Sequence, residues 1–213
     1  MYINHFEKRD ITYLNNMLLK DDKFQILSYD KLKDVPRNDI CQFCLENGMY
    51  VLPTTELIDF LKKEMCGNTI EICSGNGILA EALNIKATDS YMQELPHIKS
   101  LYEAAKQPIV RYGSNVQRID AESAVKLYKP KTVIGSWVTH KYDPKRHSIG
   151  GNILGPDENV IMKSINKYIF IGNLDTHKDK PLLSKYTPVE YRFDWYLSRA
   201  LKREDNMIWI FEK

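Results

Sequence analysis

The segment from residue 71 to residue 77 combines residue types that could bind a charged small molecule. Residues 69–73 form a short apolar run that predicts a β-strand, and the run stops abruptly at Ser74-Gly75-Asn76-Gly77. A glycine-rich turn directly after a strand lets a ligand approach the backbone closely. The helix predicted over residues 78–83 offers free N–H groups at its first turn. Glu71, at the end of the strand, adds a carboxylate that could receive a positively charged amino group.

The same segment also satisfies the GxGxxA fingerprint of dinucleotide-binding proteins, from Gly75 to Ala80. Two features oppose that interpretation. Glu71 lies inside the strand end, and the next acidic strand end, Asp89, follows Gly75 by 14 residues, whereas the fingerprint places its acidic residue about 20 residues on. A nicotinamide-dependent oxidoreductase is therefore the weaker hypothesis.

Acidic residues also stand at the ends of the next two predicted strands. Asp89 closes the strand predicted over residues 85–88, and Asp120 closes the strand over residues 116–119. The joint placement of Glu71 and Asp89 favours ligand binding, although each could instead cap a helix or pair with a lysine. Asp120 could equally be the N-cap of the helix that begins at Ala121.

Three further residues could act on a bound substrate. His140 follows the fourth predicted strand and His177 follows the fifth, so both are expected to project from the sheet edge where ligands bind in such folds. Histidine is the usual general base near neutral pH, although a loop histidine is often only a polar surface residue. Trp137 closes the fourth strand, where its indole could stack on a planar group or pack in the core. The glycine-rich residues 147–156 could form a lid or an ordinary surface connection.

The elements that must position these residues alternate between strands and helices after Gly67. Strands are predicted over residues 69–73, 85–88, 116–119, 132–137 and 168–171, and helices over residues 78–83, 97–105, 121–127 and 159–165. This alternation predicts a mostly parallel sheet with helices on both faces. Two last strands, residues 191–197 and 207–211, are expected to pair as an antiparallel hairpin, because no parallel crossover fits between them.

The chain before this region reads as helical. Residues 11–20 and 38–46 are candidates, and a stronger helix follows Pro53, with Thr54 or Thr55 as its cap and Gly67 as its stop. The length of 213 residues suits a single domain, which we divide into an N-terminal helical extension over residues 1–49 and a core over residues 50–213.

The composition is that of an ordinary soluble protein, with 43% hydrophobic and 27% charged residues. Met1 to Glu7 do not form a signal-peptide pattern and no apolar run is long enough for a membrane span, so a cytoplasmic location without membrane partners is expected. A net charge of +2 neither requires nor excludes a nucleic-acid partner. Cys41 and Cys44 form a CxxC without a second half-site, so buried reduced thiols are expected and no metal site.

Residues 71–77 resemble motif I of the class I (Rossmann-like) S-adenosylmethionine-dependent methyltransferases, and the resemblance extends over about residues 50–213. It implies a seven-stranded, mostly parallel sheet with an antiparallel C-terminal strand, and S-adenosyl-L-methionine as cofactor. The positions that it assigns to the cofactor are Glu71, Cys73, Ser74, Gly75 and Gly77 of motif I, Asp89 for the ribose hydroxyls, and Asp120 and Ala121 for the adenine. Trp137 falls where the family places substrate and catalytic residues, and Tyr50 and Thr54 could contact the methionine end or serve as core and cap.

Three departures from the family pattern bear on the reaction. Cys73 replaces the commonest first glycine, the helix over residues 78–83 is short, and the fourth strand ends in Gly135-Ser136-Trp137-Val138-Thr139-His140. That ending lacks the Asn/Asp-Pro-Pro-Tyr/Phe of enzymes that methylate exocyclic base amines, and no Pro-Cys nucleophile follows. The sequence therefore predicts a methyltransferase with an unidentified acceptor and an open oligomeric state. The alternative is a non-catalytic module that binds the cofactor or a partner on the same fold.

Overall fold

The computed structural model describes residues 8–21 and 23–213. The helices are α1 (Thr12–Leu18), α2 (Tyr29–Leu32), α3 (Arg37–Glu46), α4 (Thr55–Glu64), α5 (Ile78–Leu83), α6 (Pro96–Ala104), α7 (Ala121–Tyr128), α8 (Glu158–Ser164), α9 (Leu174–His177) and α10 (Pro181–Lys185). The strands are β1 (Leu19–Lys20), β2 (Lys23–Phe24), β3 (Val51–Leu52), β4 (Thr69–Ile72), β5 (Lys86–Asp89), β6 (Val116–Arg118), β7 (Thr132–Ser136), β8 (Lys167–Asn173), β9 (Val189–Tyr191), β10 (Leu197–Ser198) and β11 (Asn206–Glu212).

A seven-stranded sheet, in the order β6-β5-β4-β7-β8-β11-β9, organises the molecule. Neighbouring strands from β6 to β8 are parallel, and β11 runs antiparallel to both β8 and β9. Numbered in chain order within this sheet, the strands follow the order 3-2-1-4-5-7-6. The predicted fold class, a Rossmann-like α/β sheet with one reversed C-terminal strand, is confirmed.

Helices cover both faces of the sheet because the central strands are apolar on both sides. Ile70 and Ile72 of β4 pack with α7 and α8 on one face. On the other face, Ile134 of β7 packs with the apolar sides of α4 and α5. Successive side chains of a strand point to opposite faces, so Glu71, between two isoleucines, faces the α5 side.

The N-terminal helices pack onto the core through their own apolar cluster. Leu14 and Leu18 of α1 and Phe43 of α3 are fully buried there with Leu52 and Leu197. β3 and β10 pair as a small two-stranded sheet next to this cluster. Of the two caps considered for α4, Thr54 is the one used, since its side chain accepts a hydrogen bond from Leu57 N at 3.2 Å. In the adjacent α3, Cys41 and Cys44 are buried free thiols.

The predicted C-terminal hairpin is partly wrong. Only β9, at Val189–Tyr191, pairs with β11, and the chain then leaves the sheet edge so that Leu197 pairs with Leu52 of β3 instead. Aromatic packing explains the departure, because the rings of Phe193 and Trp195 stack on each other and against Phe60 of α4.

Smaller boundaries also differ from the prediction. The helix expected over residues 11–20 ends at Leu18, and its last two residues join β1. α4 ends at Glu64, before Gly67, because Met65 already has an extended backbone. In the described ranges, no helix is long and apolar enough to cross a membrane. Met1 to Glu7, considered above as a leader, lie outside the described residues.

Candidate functional site at the carboxyl edge of the sheet

The turn after β4 is built from alternating left-handed residues. Cys73, Gly75 and Gly77 have φ values of 51°, 56° and 73°. A Cβ on Gly77 would lie 2.5 Å from a Val116 methyl, so packing requires glycine there. A Cβ on Gly75 would meet only Val110, at 3.4 Å. A non-glycine residue in the left-handed region costs roughly 1–2 kcal/mol, which explains why glycine would be the easier residue at position 73.

The accessible part of this turn is short. Residues 73–76 are half-buried, whereas β4 before them and Gly77 after them are buried. A ligand would therefore reach the backbone of these four residues and no other part of the motif. The predicted motif positions Cys73, Ser74 and Gly75 lie within this accessible stretch.

Glu71 lies beneath the turn. Its side chain is 2% exposed, and Oε2 accepts a hydrogen bond from the backbone N of Ala80, in the first turn of α5. Burial, together with the nearby Asp89, raises the pKa of Glu71 to about 8, although the Ala80 hydrogen bond opposes this shift. The helix-capping interaction that the sequence left open is thus present, and the binding of an amino group by Glu71 stays a prediction.

Asp89 joins the tip of β5 to the glycine turn. Its Oδ2 accepts a hydrogen bond from Gly75 N at 3.0 Å, and its Oδ1 accepts one from Tyr91 N at 2.9 Å. Burial raises the pKa of Asp89, and these backbone hydrogen bonds, with one from the Tyr112 side chain, act in the opposite direction. The second and first strands of the sheet are therefore linked at the position where the resemblance places the cofactor.

Two aromatic residues beside Asp89 were not identified from the sequence. The rings of Tyr91 and Tyr112 stack with their centroids 3.9 Å apart, and the Tyr91 hydroxyl donates a hydrogen bond to Val116 O. Tyr91 takes a left-handed backbone, with φ 59°. Its position two residues after an acidic strand end was the one available signal.

Asp120 and Ala121 stand at the start of α7. The Asp120 side chain caps α7 by accepting a hydrogen bond from Ser123 N at 2.9 Å, and the Ala121 methyl is buried in the core. Asp120 is therefore the N-cap of α7, which was one of its two predicted roles. Contact between these two residues and an adenine ring stays a prediction.

Trp137 stands at the end of β7 in a left-handed conformation, with φ 53°. Its Nε1 donates a hydrogen bond to the Tyr196 hydroxyl at 3.0 Å, and its ring is 5.9 Å from the ring of Tyr50. Both rings are half-buried. The indole thus combines core packing with an accessible surface near the turn.

The expectation that His177 projects from the sheet edge is wrong. The residue ends the short helix α9, is 4% exposed, and packs edge-on against Trp137 and Phe170. Its Nδ1 accepts a hydrogen bond from Asn173 N at 3.0 Å. Burial lowers the pKa of His177 to about 3, with a further contribution from Lys180, so the ring is neutral at pH 7. His177 therefore supports Trp137 from inside the protein.

His140 is half-buried in the loop after β7. Burial, Lys180 and Arg146 lower its pKa, so the ring is neutral near pH 7 and could accept a proton. A cleft of about 340 Å³ opens beside it, lined by the 140–146 loop, the start of α8 and the start of α10. This volume suits a small molecule. The glycine-rich loop is anchored here through Asn152, whose N donates to His140 O and whose O accepts a hydrogen bond from Tyr142 N.

A buried ionic network behind the cleft was also missed. Lys180 Nζ lies 2.7 Å from Glu158 Oε2, with both side chains 2% exposed. The Tyr168 hydroxyl donates a hydrogen bond to Glu158 Oε1, and Lys180 donates one to Val138 O. No sequence pattern pairs residues 158 and 180, because they come from separate elements, α8 and the start of α10.

The strand order 3-2-1-4-5-7-6, the glycine turn after the first strand and the acidic end of the second strand occur together in this chain. The chain has a Rossmann-like α/β fold with this strand order. Among the described residues, no group of three histidine, cysteine or acidic side chains could hold a metal ion.

No protein-family model and no curated protein matches the chain. An rRNA methylase from Streptococcus thermophilus is similar in structure, with 12% identity, a TM-score of 0.41, and coverage of 73% of this chain and 93% of that chain. The 23S rRNA methyltransferase ErmE has 13% identity, a TM-score of 0.36, and coverage of 75% and 68%. TehB from Haemophilus influenzae has 8% identity, a TM-score of 0.34, and coverage of 73% and 61%. Substrate and activity do not follow from such distant similarities.

Proposed function

We propose that this chain binds S-adenosyl-L-methionine at the carboxyl edge of its sheet and transfers the methyl group to an acceptor. The observation that carries the proposal is the 3.0 Å hydrogen bond between Gly75 N and the Asp89 carboxylate, next to an accessible backbone turn. A half-buried turn of four residues beside a carboxylate suits a ligand that contains both a nucleoside and an amino acid.

Different residues of the site would hold different parts of the cofactor. The backbone of residues 73–76 would face the amino-acid end, Asp89 would accept from the ribose hydroxyls, and the Tyr91–Tyr112 pair would flank the nucleoside. Glu71 would act from beneath the turn, where ionisation of its carboxyl would balance a cationic amino group. When bound, S-adenosylmethionine supplies an electrophilic methyl group on a sulfonium.

The protein's own contribution to the reaction would be positioning and proton acceptance. Trp137 offers a half-buried indole that could hold a planar acceptor. His140 is the residue suited to accept a proton, because its neutral ring borders a cleft of molecular size. Holding the acceptor against the cofactor is the main requirement of such a displacement.

Calorimetry and mass spectrometry test the proposal together. S-adenosylhomocysteine should bind the wild type with micromolar affinity and should bind Gly75→Val at least tenfold more weakly, since a branched side chain is strained at φ 56°. Asp59→Asn, on the exposed side of α4, is the matched control and should bind normally. Absence of binding of both cofactor and product to the folded wild type would refute the proposal.

The second candidate is a binding module that keeps the fold without catalysis. The buried position of His177 favours it, because one of the two expected bases is inaccessible. A mass-spectrometric screen of protein, peptide, nucleic-acid and small-molecule acceptors separates the two. Methylated product that disappears with His140→Gln, while S-adenosylhomocysteine still binds, would support the enzyme.

A further inference from the structure

Arg199 lies at the edge of the same site with an unused guanidinium. Its Cζ is 3.7 Å from the centre of the Tyr50 ring, and its backbone N donates a hydrogen bond to Tyr50 O at 3.1 Å. Arg199 is half-buried. Within residues 8–21 and 23–213, its side chain forms no ion pair and donates no hydrogen bond, unlike the side chains of Arg37 and Arg203.

Among the described residues, Arg199 has aromatic neighbours and no carboxylate paired with it. Tyr50 packs at 5.9 Å from Trp137, and its hydroxyl is 3.4 Å from the hydroxyl of Tyr102. Tyr50, Tyr102 and Trp137 are all half-buried. Without a carboxylate partner among the described residues, the half-buried Arg199 guanidinium keeps N–H donors that a ligand could use.

The Arg199–Tyr50 pair is connected to the glycine turn through the segments that pack between them. The segment that precedes Tyr50 contacts the loop before β6, since a Cβ on Gly48 would lie 3.1 Å from Ile109 O. Val110 of that loop is in turn the residue nearest a Cβ on Gly75. Trp137, which neighbours Tyr50, ends β7, and β7 is paired with β4 directly before the turn. The free guanidinium therefore belongs to the same end of the sheet as the proposed cofactor site.

We propose that Arg199, held over the Tyr50 ring, binds the carboxylate of the methionine end of S-adenosylmethionine. This inference rests on the proposed function. An arginine fork matches a carboxylate with two parallel hydrogen bonds, and contact with an aromatic ring restricts the guanidinium before a ligand binds. Arg199 is then a binding residue contributed from the C-terminal part of the chain, next to β10, whereas the motif I residues come from β4.

A ligand pair that differs only in the carboxylate tests this assignment. Binding of S-adenosylmethionine and of decarboxylated S-adenosylmethionine is measured by calorimetry on the wild type, Arg199→Gln and Arg199→Lys. A charge-assisted hydrogen bond to a carboxylate typically changes affinity roughly 10- to 100-fold. We expect a loss of that size when either the carboxylate or the Arg199 guanidinium is removed, and little further loss when both are removed. Arg199→Lys should recover part of the affinity, because it keeps the charge without the planar fork.

A control variant and two contrary outcomes distinguish failure of the Arg199 assignment from failure of the proposed function. Arg192→Gln, an exposed arginine in the preceding segment, should leave both affinities unchanged. If Arg199→Gln weakens both ligands equally, or weakens neither, the carboxylate assignment is overturned while the proposed function stands. If the wild type binds neither ligand, the proposed function itself has failed.

Discussion

The carboxylate of Asp89 accepts a hydrogen bond from the backbone N of Gly75 at 3.0 Å, so the ends of β5 and β4 are fastened together at the candidate site. The same carboxylate accepts a second backbone hydrogen bond from Tyr91 N. Asp89 is buried, at 9% exposure, and shapes the turn even without a ligand.

Replacement of Asp89 by asparagine should weaken cofactor binding more than it weakens the fold. Asparagine keeps one oxygen for Gly75 N but has no negative charge and only one acceptor oxygen. We expect S-adenosylhomocysteine affinity to fall roughly 10- to 100-fold, measured by calorimetry, with Asp59→Asn as the control on an exposed helix face. Unchanged affinity in Asp89→Asn would remove Asp89 from the site.

The buried Glu71 carboxyl should make the protein less stable as pH rises. Its folded pKa of about 8 lies above the ordinary 4.5, so its contribution to stability is full below pH 4.5 and is lost as pH rises through 8. The loss is on the order of 5 kcal/mol. Glu71→Gln keeps an oxygen for Ala80 N and should have a flatter profile in denaturant unfolding between pH 5 and 9. Parallel profiles for wild type and variant would contradict this explanation.

The buried His177 ring should make the protein less stable as pH falls, the opposite direction to the effect of Glu71. Its pKa is depressed from 6.5 to about 3, so the unfolded chain binds the proton first and stability falls as pH drops from about 6.5 toward 3. The fall is on the order of 5 kcal/mol. His177→Asn retains an acceptor near Asn173 N and should remove most of this dependence, although it also leaves a cavity. The test is the difference between the two unfolding curves at pH 7 and pH 4, and an equal acid loss in both proteins would rule out His177 as its source.

The buried Lys180–Glu158 pair should show strong energetic coupling. Lys180→Met leaves Glu158 without its buried counter-ion and should cost about 3–5 kcal/mol. In a double-mutant cycle with Glu158→Gln, the two changes together should cost clearly less than the sum of the two alone.

An exposed pair provides the comparison for that cycle. Lys202 and Asp175 lie 3.4 Å apart with side chains 60% and 51% exposed, so their coupling should stay below about 1 kcal/mol. If the coupling energy of the buried pair is no larger than that of the exposed pair, burial does not strengthen the Lys180–Glu158 interaction.

Local sequence patterns determined most of the α/β framework. The alternation of apolar runs and helices after Gly67 predicted β4 to β8 within one or two residues at most ends, because strand and helix periodicity is set by neighbours along the chain. The turn at Gly75 and Gly77 was equally local, since left-handed backbone favours glycine wherever it occurs. The N-cap at Thr54 was also predictable, because its hydrogen bond joins residues only three positions apart in the chain.

Only the tertiary structure decided which side chains meet and which are accessible. His177 was expected at the surface and is buried, because α9 folds back against Trp137 and Phe170. The pairing of Leu197 with Leu52 and the stacking of Arg199 on Tyr50 join segments more than 140 residues apart. Contacts over that separation depend on how whole elements pack, and no spacing within one segment of sequence records them.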